Sequence, residues 1–154
     1  MAVNRGKKFE EVIKKSFLKV SDTTVTRLPD PTQGYLGIRN ICDFIVYHYP
    51  TQYFIECKSV HGNTFPFSNI TENQYLGLLE MSLNYGVVAG IIVWWVDRDV
   101  TQFIPIRTVK LLKDSGKKSI RFDYRDSSTI EIHGKKKRVF FDYEMQEFIE
   151  RSKT

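Results

Sequence analysis

Cysteine is scarce in this chain: two in 154 residues, Cys42 and Cys57, each inside an apolar run. Two thiols exclude a disulfide-stapled scaffold and cannot build a structural zinc site by themselves, so the sequence reads as a reduced protein of cytosolic type. Long hydrophobic runs are missing too. The longest, Val87 to Val96, is ten residues, about half of what a membrane-spanning helix needs. The opening residues, Met1 to Lys8, are polar, and no secretory signal segment is expected there. Repeats and low-complexity tracts do not occur. Nor is there a strong excess of either charge: 23 Lys and Arg against 18 Asp and Glu give a net charge of +5. That modest basicity suits a polyanionic partner such as nucleic acid but is shared by many unrelated proteins.

What is present fits one globular domain. Apolar residues make up 42% of the chain, too many for a disordered segment, and the length suits one core rather than two. Phe9, Val12, Ile13, Phe17 and Val20 recur at helical spacing and predict a helix over 9–20. At 100° per residue Glu10 falls at the edge of its apolar face and Glu11 on the wet side. A loop follows that helix, and Arg27 to Pro31, with Gly34 and Gly37 beyond, reads as irregular chain. Ile41–Tyr47 and Gln52–Ser59 are strand-like runs joined by His48-Tyr49-Pro50-Thr51.

If those four residues form the loop, Tyr47 faces Gln52, and backward pairing sets Asp43 opposite Glu56. Side chains so opposed lie about 5 Å apart at Cβ. Alternation then places Glu56 and Lys58 on one face, with Ile55 and Cys57 on the other. Thr71-Glu72-Asn73-Gln74 has the form of a capping box, with Thr71 as the cap and Gln74 at the third helical position. That helix runs through Leu76, Leu79 and Met81, and Gly86 is placed to end it. Val87–Val96, apolar throughout, predicts a strand buried on both faces. Thr101–Ile106 is a further strand and Arg107–Lys113 a short helix. Beyond Ser119 two more strands are expected around His133-Gly134, then a helix over 143–151. The fold expected is α/β: a mixed central sheet flanked by helices, in one domain of residues 1–154 with a core at about 6–106 and an extension over 107–154.

Two carboxylates as close as Asp43 and Glu56 repel each other unless a cation sits between them. Mg²⁺ is the expected ion, since it takes hard oxygen ligands and keeps its waters; Mn²⁺ is a substitute. Lys58, two residues on, can orient or deprotonate a water, or stabilise charge building on a phosphate. These are the parts that phosphodiester hydrolysis requires. The bare spacing is loose, however, and a Glu-x-Lys on a strand also suits a solvated ion pair.

The sequence resembles the RecU-type Holliday-junction resolvases within the PD-(D/E)xK nuclease superfamily. The resemblance runs from Gly6 to about Ile106. It is carried by Gly6-x-x-Phe9-Glu10-Glu11, Asp43-Phe44, Phe54-Ile55-Glu56-Cys57-Lys58, and Thr64-Phe65-Pro66-Phe67-x-Asn69-Ile70 followed by Glu72-Asn73-Gln74. It implies a restriction-endonuclease-like core and a Mg²⁺-dependent endonuclease, bacterial or phage-encoded, that resolves Holliday junctions in the bacterial cytoplasm as a homodimer. By the resemblance, Asp43 and Glu56 bind the metal, Gln74 and the Cys57 backbone carbonyl complete its site, Lys58 stabilises the transition state, and Glu10 is a further catalytic acid. Read without it, Gln74 suits a helix cap and Glu10 an exposed helix acid.

Two departures stand out. The superfamily's Pro-Asp is missing at the catalytic acid, because Cys42 precedes Asp43 and Ile41 stands where RecU-type enzymes carry a hydroxyl residue; Pro29-Asp30 spells the motif only in a loop. The stalk that such enzymes insert before the catalytic Asp is reduced to about fifteen residues after Arg27. Candidate DNA contacts are Lys7, Lys8, Lys14, Lys15, Arg27 and Arg39, with Tyr35 as a base-stacking candidate. Lys135-Lys136-Lys137-Arg138 reads as a solvated turn between tail strands. The alternatives are a superfamily endonuclease acting on linear duplex, and a catalytically silent DNA-binding module of the same fold.

Overall fold

A computed structural model describes residues 5–29 and 40–153. Helix α1 (Arg5–Leu18) buries Phe9, Ile13 and Phe17 and leaves Glu11 exposed and Glu10 half-buried, as the 3.6-residue period requires. Strand β1 (Thr23–Arg27) follows within a stretch expected to be loop. Nothing local announces it: it is a threonine-rich edge strand with only Thr23 and Val25 half-buried, held by its pairing to the next strand.

Strands β2 (Phe44–His48) and β3 (Thr51–Val60) form the expected hairpin in the expected register, with Tyr47 opposite Gln52 and Phe44 opposite Ile55. The loop is shorter than expected. His48 pairs with Thr51, leaving Tyr49-Pro50 as the turn. Strand β2 starts later than Ile41, at Phe44, although Asp43 still bonds to both flanking segments, its carbonyl accepting the Leu28 N–H at 2.8 Å.

A short strand β4 (Thr64–Pro66) and a single 3-10 turn (Phe67–Asn69) lead into helix α2 (Glu72–Ser82), which crosses over to β5 (Val87–Trp95). Leu78, rather than Leu76, anchors α2; Leu78 is fully buried while Leu76 is 54% exposed. Strand β5 lies parallel to β3 in the middle of the sheet. Its residues alternate between two cores, Ile92 and Trp94 in one, Ala89, Ile91, Val93 and Trp95 in the other. A strand covered on both faces has no wet side, which is why this run carries no polar residue.

Strand β6 (Val100–Pro105) pairs antiparallel with β5 and leads into α3 (Ile106–Asp114). Strand β7 (Ser119–Arg121) pairs with β4, and β8 (Ile130–Glu131) adds to β6. The six-stranded sheet therefore runs β1-β2-β3-β5-β6-β8, mixed and flanked by helices. The two strands flanking His133 are not partners: β8 stays on β6, while β9 (Gly134–Lys136) pairs with β10 (Phe141–Tyr143) in a separate hairpin. Helix α4 (Met145–Ser152) ends the chain's regular structure.

The tail is built into both cores. Tyr143, Met145, Phe148 and Ile149 pack with α1, and Ile120 joins the opposite face beside Ile106 and Val109. No helix among the described residues is long and apolar enough to cross a membrane.

Candidate active site

Three hydrogen bonds fix Asp43 where β2 begins. Its N–H donates to the Ile55 carbonyl at 3.0 Å, its carbonyl accepts from Leu28, and its Oδ2 accepts the Cys57 N–H at 2.8 Å. The side chain is thus locked against the edge of β3, on the hairpin position that faces Glu56. Glu56 is 4% exposed, an acid in a strand whose neighbours Phe54, Ile55 and Cys57 are all buried. Its Oε2 accepts from Gln74 Nε2 at 2.9 Å and lies 3.1 Å from Lys58 Nζ. Its Oε1 is buried without a hydrogen-bond partner. A buried carboxylate oxygen in that state is costly and is the kind of exception that calls for an explanation.

The electrostatics follow from the crowding. Burial first, and then the charge of Glu56, push Asp43 up to about 7. Burial raises Glu56 despite the opposing pull of the Lys58 ammonium. Glu10 is raised by burial and then by Asp43, against the Arg27 guanidinium that donates to its Oε2 at 3.0 Å. Three carboxyl groups from α1, β2 and β3 are therefore in electrostatic contact, with one ammonium among them. The two thiols are inert by comparison. Burial pushes Cys42 up to about 12 and Cys57 well above its ordinary value, so neither supplies a thiolate nucleophile.

The helix-cap reading of Gln74 holds, and the same side chain reaches the acid on β3. Thr71 Oγ1 accepts the Gln74 N–H and Gln74 Oε1 accepts the Thr71 N–H, each at 3.1 Å, completing the capping box. The amide's other end is the donor to Glu56. One residue thus ties the start of α2 to the acid on β3. The helix can lie this close because position 77 is glycine: a Cβ there would stand 2.1 Å from Ile41 Cγ2. Gly77 carries no local signal of that role, since Ile41 is far away in sequence.

Of the other candidates, Lys7, Lys8 and Lys15 are exposed along α1 and Lys14 is half-buried. Arg27, expected at phosphates, donates to Glu10 and to the Leu28 carbonyl. Its part as counter-ion to Glu10 had no signal in the sequence, because seventeen residues separate the two. Tyr35, Arg39 and the Pro-Asp acid Asp30 lie outside the described residues.

The donor set can be tested against a divalent cation without one in place. Among the described residues, no three His, Cys, Asp or Glu side chains are grouped to cage an ion by themselves. That is no obstacle for Mg²⁺, which is bound through one or two carboxylates and retains several waters. The partnerless Glu56 oxygen and the mutual repulsion of Asp43 and Glu56 are both relieved by a hard cation between them, so the residues present fit the group.

A mixed sheet with this hairpin at its heart and helices on both faces defines a restriction-endonuclease-like α/β fold. It is similar to the structure of Hjc, a Holliday junction resolvase of Archaeoglobus fulgidus, at 17% identity and a TM-score of 0.50, over 66% of this chain and 78% of that one. At that identity the likeness speaks for the fold. The family model of RecU, Recombination protein U, matches residues 4–146. The chain belongs to the RecU family, and the match continues past Ile106 to the start of α4. No curated protein sequence matches the chain.

Proposed function

We propose that this protein is a divalent-metal-dependent endodeoxyribonuclease that resolves Holliday junctions and other branched DNA by phosphodiester hydrolysis, acting as a homodimer. The observation that carries the reading is the Glu56 carboxylate: buried, held on one oxygen by Gln74 and Lys58, and left without a partner on the other, opposite Asp43. A buried acid so placed, with a perturbed pKa and a charge partner, marks a candidate functional site.

Asp43 and Glu56 would hold Mg²⁺, or Mn²⁺ in its place, with the Cys57 carbonyl as a further ligand. The bound ion would supply positive charge to a phosphate oxygen and lower the pKa of a water. The chain's own residues do the rest. Cys57 N–H keeps Asp43 Oδ2 aimed at the site. Gln74 has both amide ends engaged, so it acts by orienting Glu56 rather than as a direct ligand. Lys58 brings an ammonium beside the acids, where it orients the attacking water and stabilises the charge that grows on the phosphate. Glu10, steadied by Arg27, adds an acid that accepts a proton from that water. The water oxygen bonds to phosphorus, one ester P–O bond breaks, and the leaving oxygen takes up a proton. Cutting two strands symmetrically requires two such sites, which a two-fold dimer supplies.

A second reading, cleavage of linear duplex, draws on the sixteen residues that separate β1 from β2, too few for a long junction-gripping stalk. The test is to offer the protein a labelled four-way junction and its arms as linear duplexes, with Mg²⁺, with Mn²⁺ and with EDTA. Preferential, EDTA-sensitive cutting of the junction is expected. Equal cutting of both substrates would favour the linear-duplex enzyme. Binding without cleavage in either metal would make the chain a silent module.

A further inference from the structure

The hairpin β9–β10 carries four consecutive cations, Lys135, Lys136, Lys137 and Arg138, all exposed. Its place on the molecule is set by its other side. The Tyr143 N–H donates to Ser16 Oγ at 3.2 Å, and Asp142 pairs with Lys19, so the base of the hairpin lies against the C-terminal half of α1. Toward the tip, Phe140 packs on Trp94 with ring centroids 5.3 Å apart, and Trp94 packs on Phe9 at 5.6 Å. Phe9 directly precedes Glu10. The hairpin therefore lies along the buried face of α1, with both Tyr143 and, through Trp94, Phe140 reaching Phe9, the residue before Glu10.

A second tie agrees. Lys136 pairs with Asp99, in the turn between β5 and β6. Because β5 is parallel to β3, with Lys58 opposite Val93 and Val60 opposite Trp95, that turn lies beyond the Lys58 end of the sheet. The Lys136 tie thus puts the tip near the Lys58 end of the sheet. Two of the nearby acids are matched, Asp99 by Lys136 and Asp142 by Lys19, while Glu11 and Glu144 stay exposed. Lys135, Lys137 and Arg138 make no ion pair with the described residues, and together with exposed Lys8 they leave this end positively charged.

We infer that the tip of this hairpin grips the phosphate backbone of a duplex arm of the DNA substrate beside the point of cleavage, with Lys137 and Arg138 as the principal contacts. The inference rests on the nuclease reading above and adds a contact surface to it. Guanidinium and ammonium groups suit phosphate oxygens, Arg138 through paired N–H donors and Lys137 as a point charge. Such contacts set affinity and orientation without choosing sequence.

The test is the salt dependence of binding to a fluorescent four-way junction, in EDTA so that the DNA stays intact. Each phosphate neutralised adds about 0.9 to the slope of log affinity against log salt. Lys137→Ala with Arg138→Ala should flatten that slope by about 1.8. Lys137→Arg with Arg138→Lys, which keeps both charges, should restore it. Arg107→Ala with Lys153→Ala removes the same charge from the opposite end of the sheet and should leave the slope as it was. A parental slope in the hairpin variant, or equal flattening by the control pair, overturns the inference while the nuclease reading stands. Failure of the unaltered protein to bind DNA overturns both.

Discussion

Asp43→Asn is the change that tests the two-acid site most directly. Asparagine keeps an oxygen for the Cys57 N–H but removes the charge that faces Glu56. An aspartate ordinarily titrates at 3.8, whereas here burial and then Glu56 push it up to about 7. Below 3.8 the group is protonated in the folded and unfolded chain alike and costs nothing. Between the two values the unfolded chain ionises while the folded one keeps its proton, so stability falls as pH rises. Above about 7 the loss is complete. The interval spans about 3 pH units at about 1.4 kcal/mol each, which caps the loss at about 4 kcal/mol. Because Asp43 and Glu56 share the proton, the part that one substitution removes is about 2–4 kcal/mol. In EDTA at pH 8 the variant should therefore melt about 4–16 °C above the parent. The gain should shrink steadily toward pH 4, and Mg²⁺ should raise the melting temperature of the parent but not of the variant. Calorimetric melts across that range are the assay. A variant that melts below the parent at pH 8, or a gain that ignores pH, would refute the repulsion on which the metal site is argued.

Lys58→Ala should slow single-turnover cleavage by about 10²–10³-fold, with junction affinity retained; weakened binding with an unchanged rate would move Lys58 out of the chemistry. Thr71→Ala and Gln74→Ala each break the capping box and should cost about 1 kcal/mol in thermal melts. Only Gln74→Ala also frees Glu56, so it alone should slow cleavage, by about 10–100-fold. Gly77→Ala would ordinarily gain up to about 1 kcal/mol in a helix, but its Cβ would stand 2.1 Å from Ile41 Cγ2. It should instead destabilise by about 1–3 kcal/mol and reduce activity, because Ile41 leads directly into Asp43; a raised melting temperature would contradict the close approach.

Much of the site was legible because it is built from short-range rules. The burial of α1, the facing of Asp43 by Glu56 and the capping box at Thr71 depend on periods of 3.6 and 2, on counting back from a turn, and on a spacing of three residues. None of these needs knowledge of distant chain. The hairpin shows how robust such counting is: the turn proved two residues long instead of four, yet the register held because the added pair, His48 and Thr51, keeps the same sum of positions. Strand β1 escaped notice for the converse reason. Its five residues have no alternating apolar signal and are a strand only because β2 offers them partners.

By itself, then, the sequence determined the helices with a buried face, the doubly covered strand Val87–Trp95, and the hairpin register that brings the candidate acids together, since residue type and local spacing settle these. Tertiary structure alone decided what those side chains do to one another. It turned Arg27 onto Glu10, gave Gln74 two tasks at once, left one Glu56 oxygen without a partner, and laid a tail hairpin along α1 through contacts such as Ser16 with Tyr143, 127 residues apart. Contacts of that range are selected by how whole elements pack, and packing is a property of the assembled cores rather than of any window of sequence.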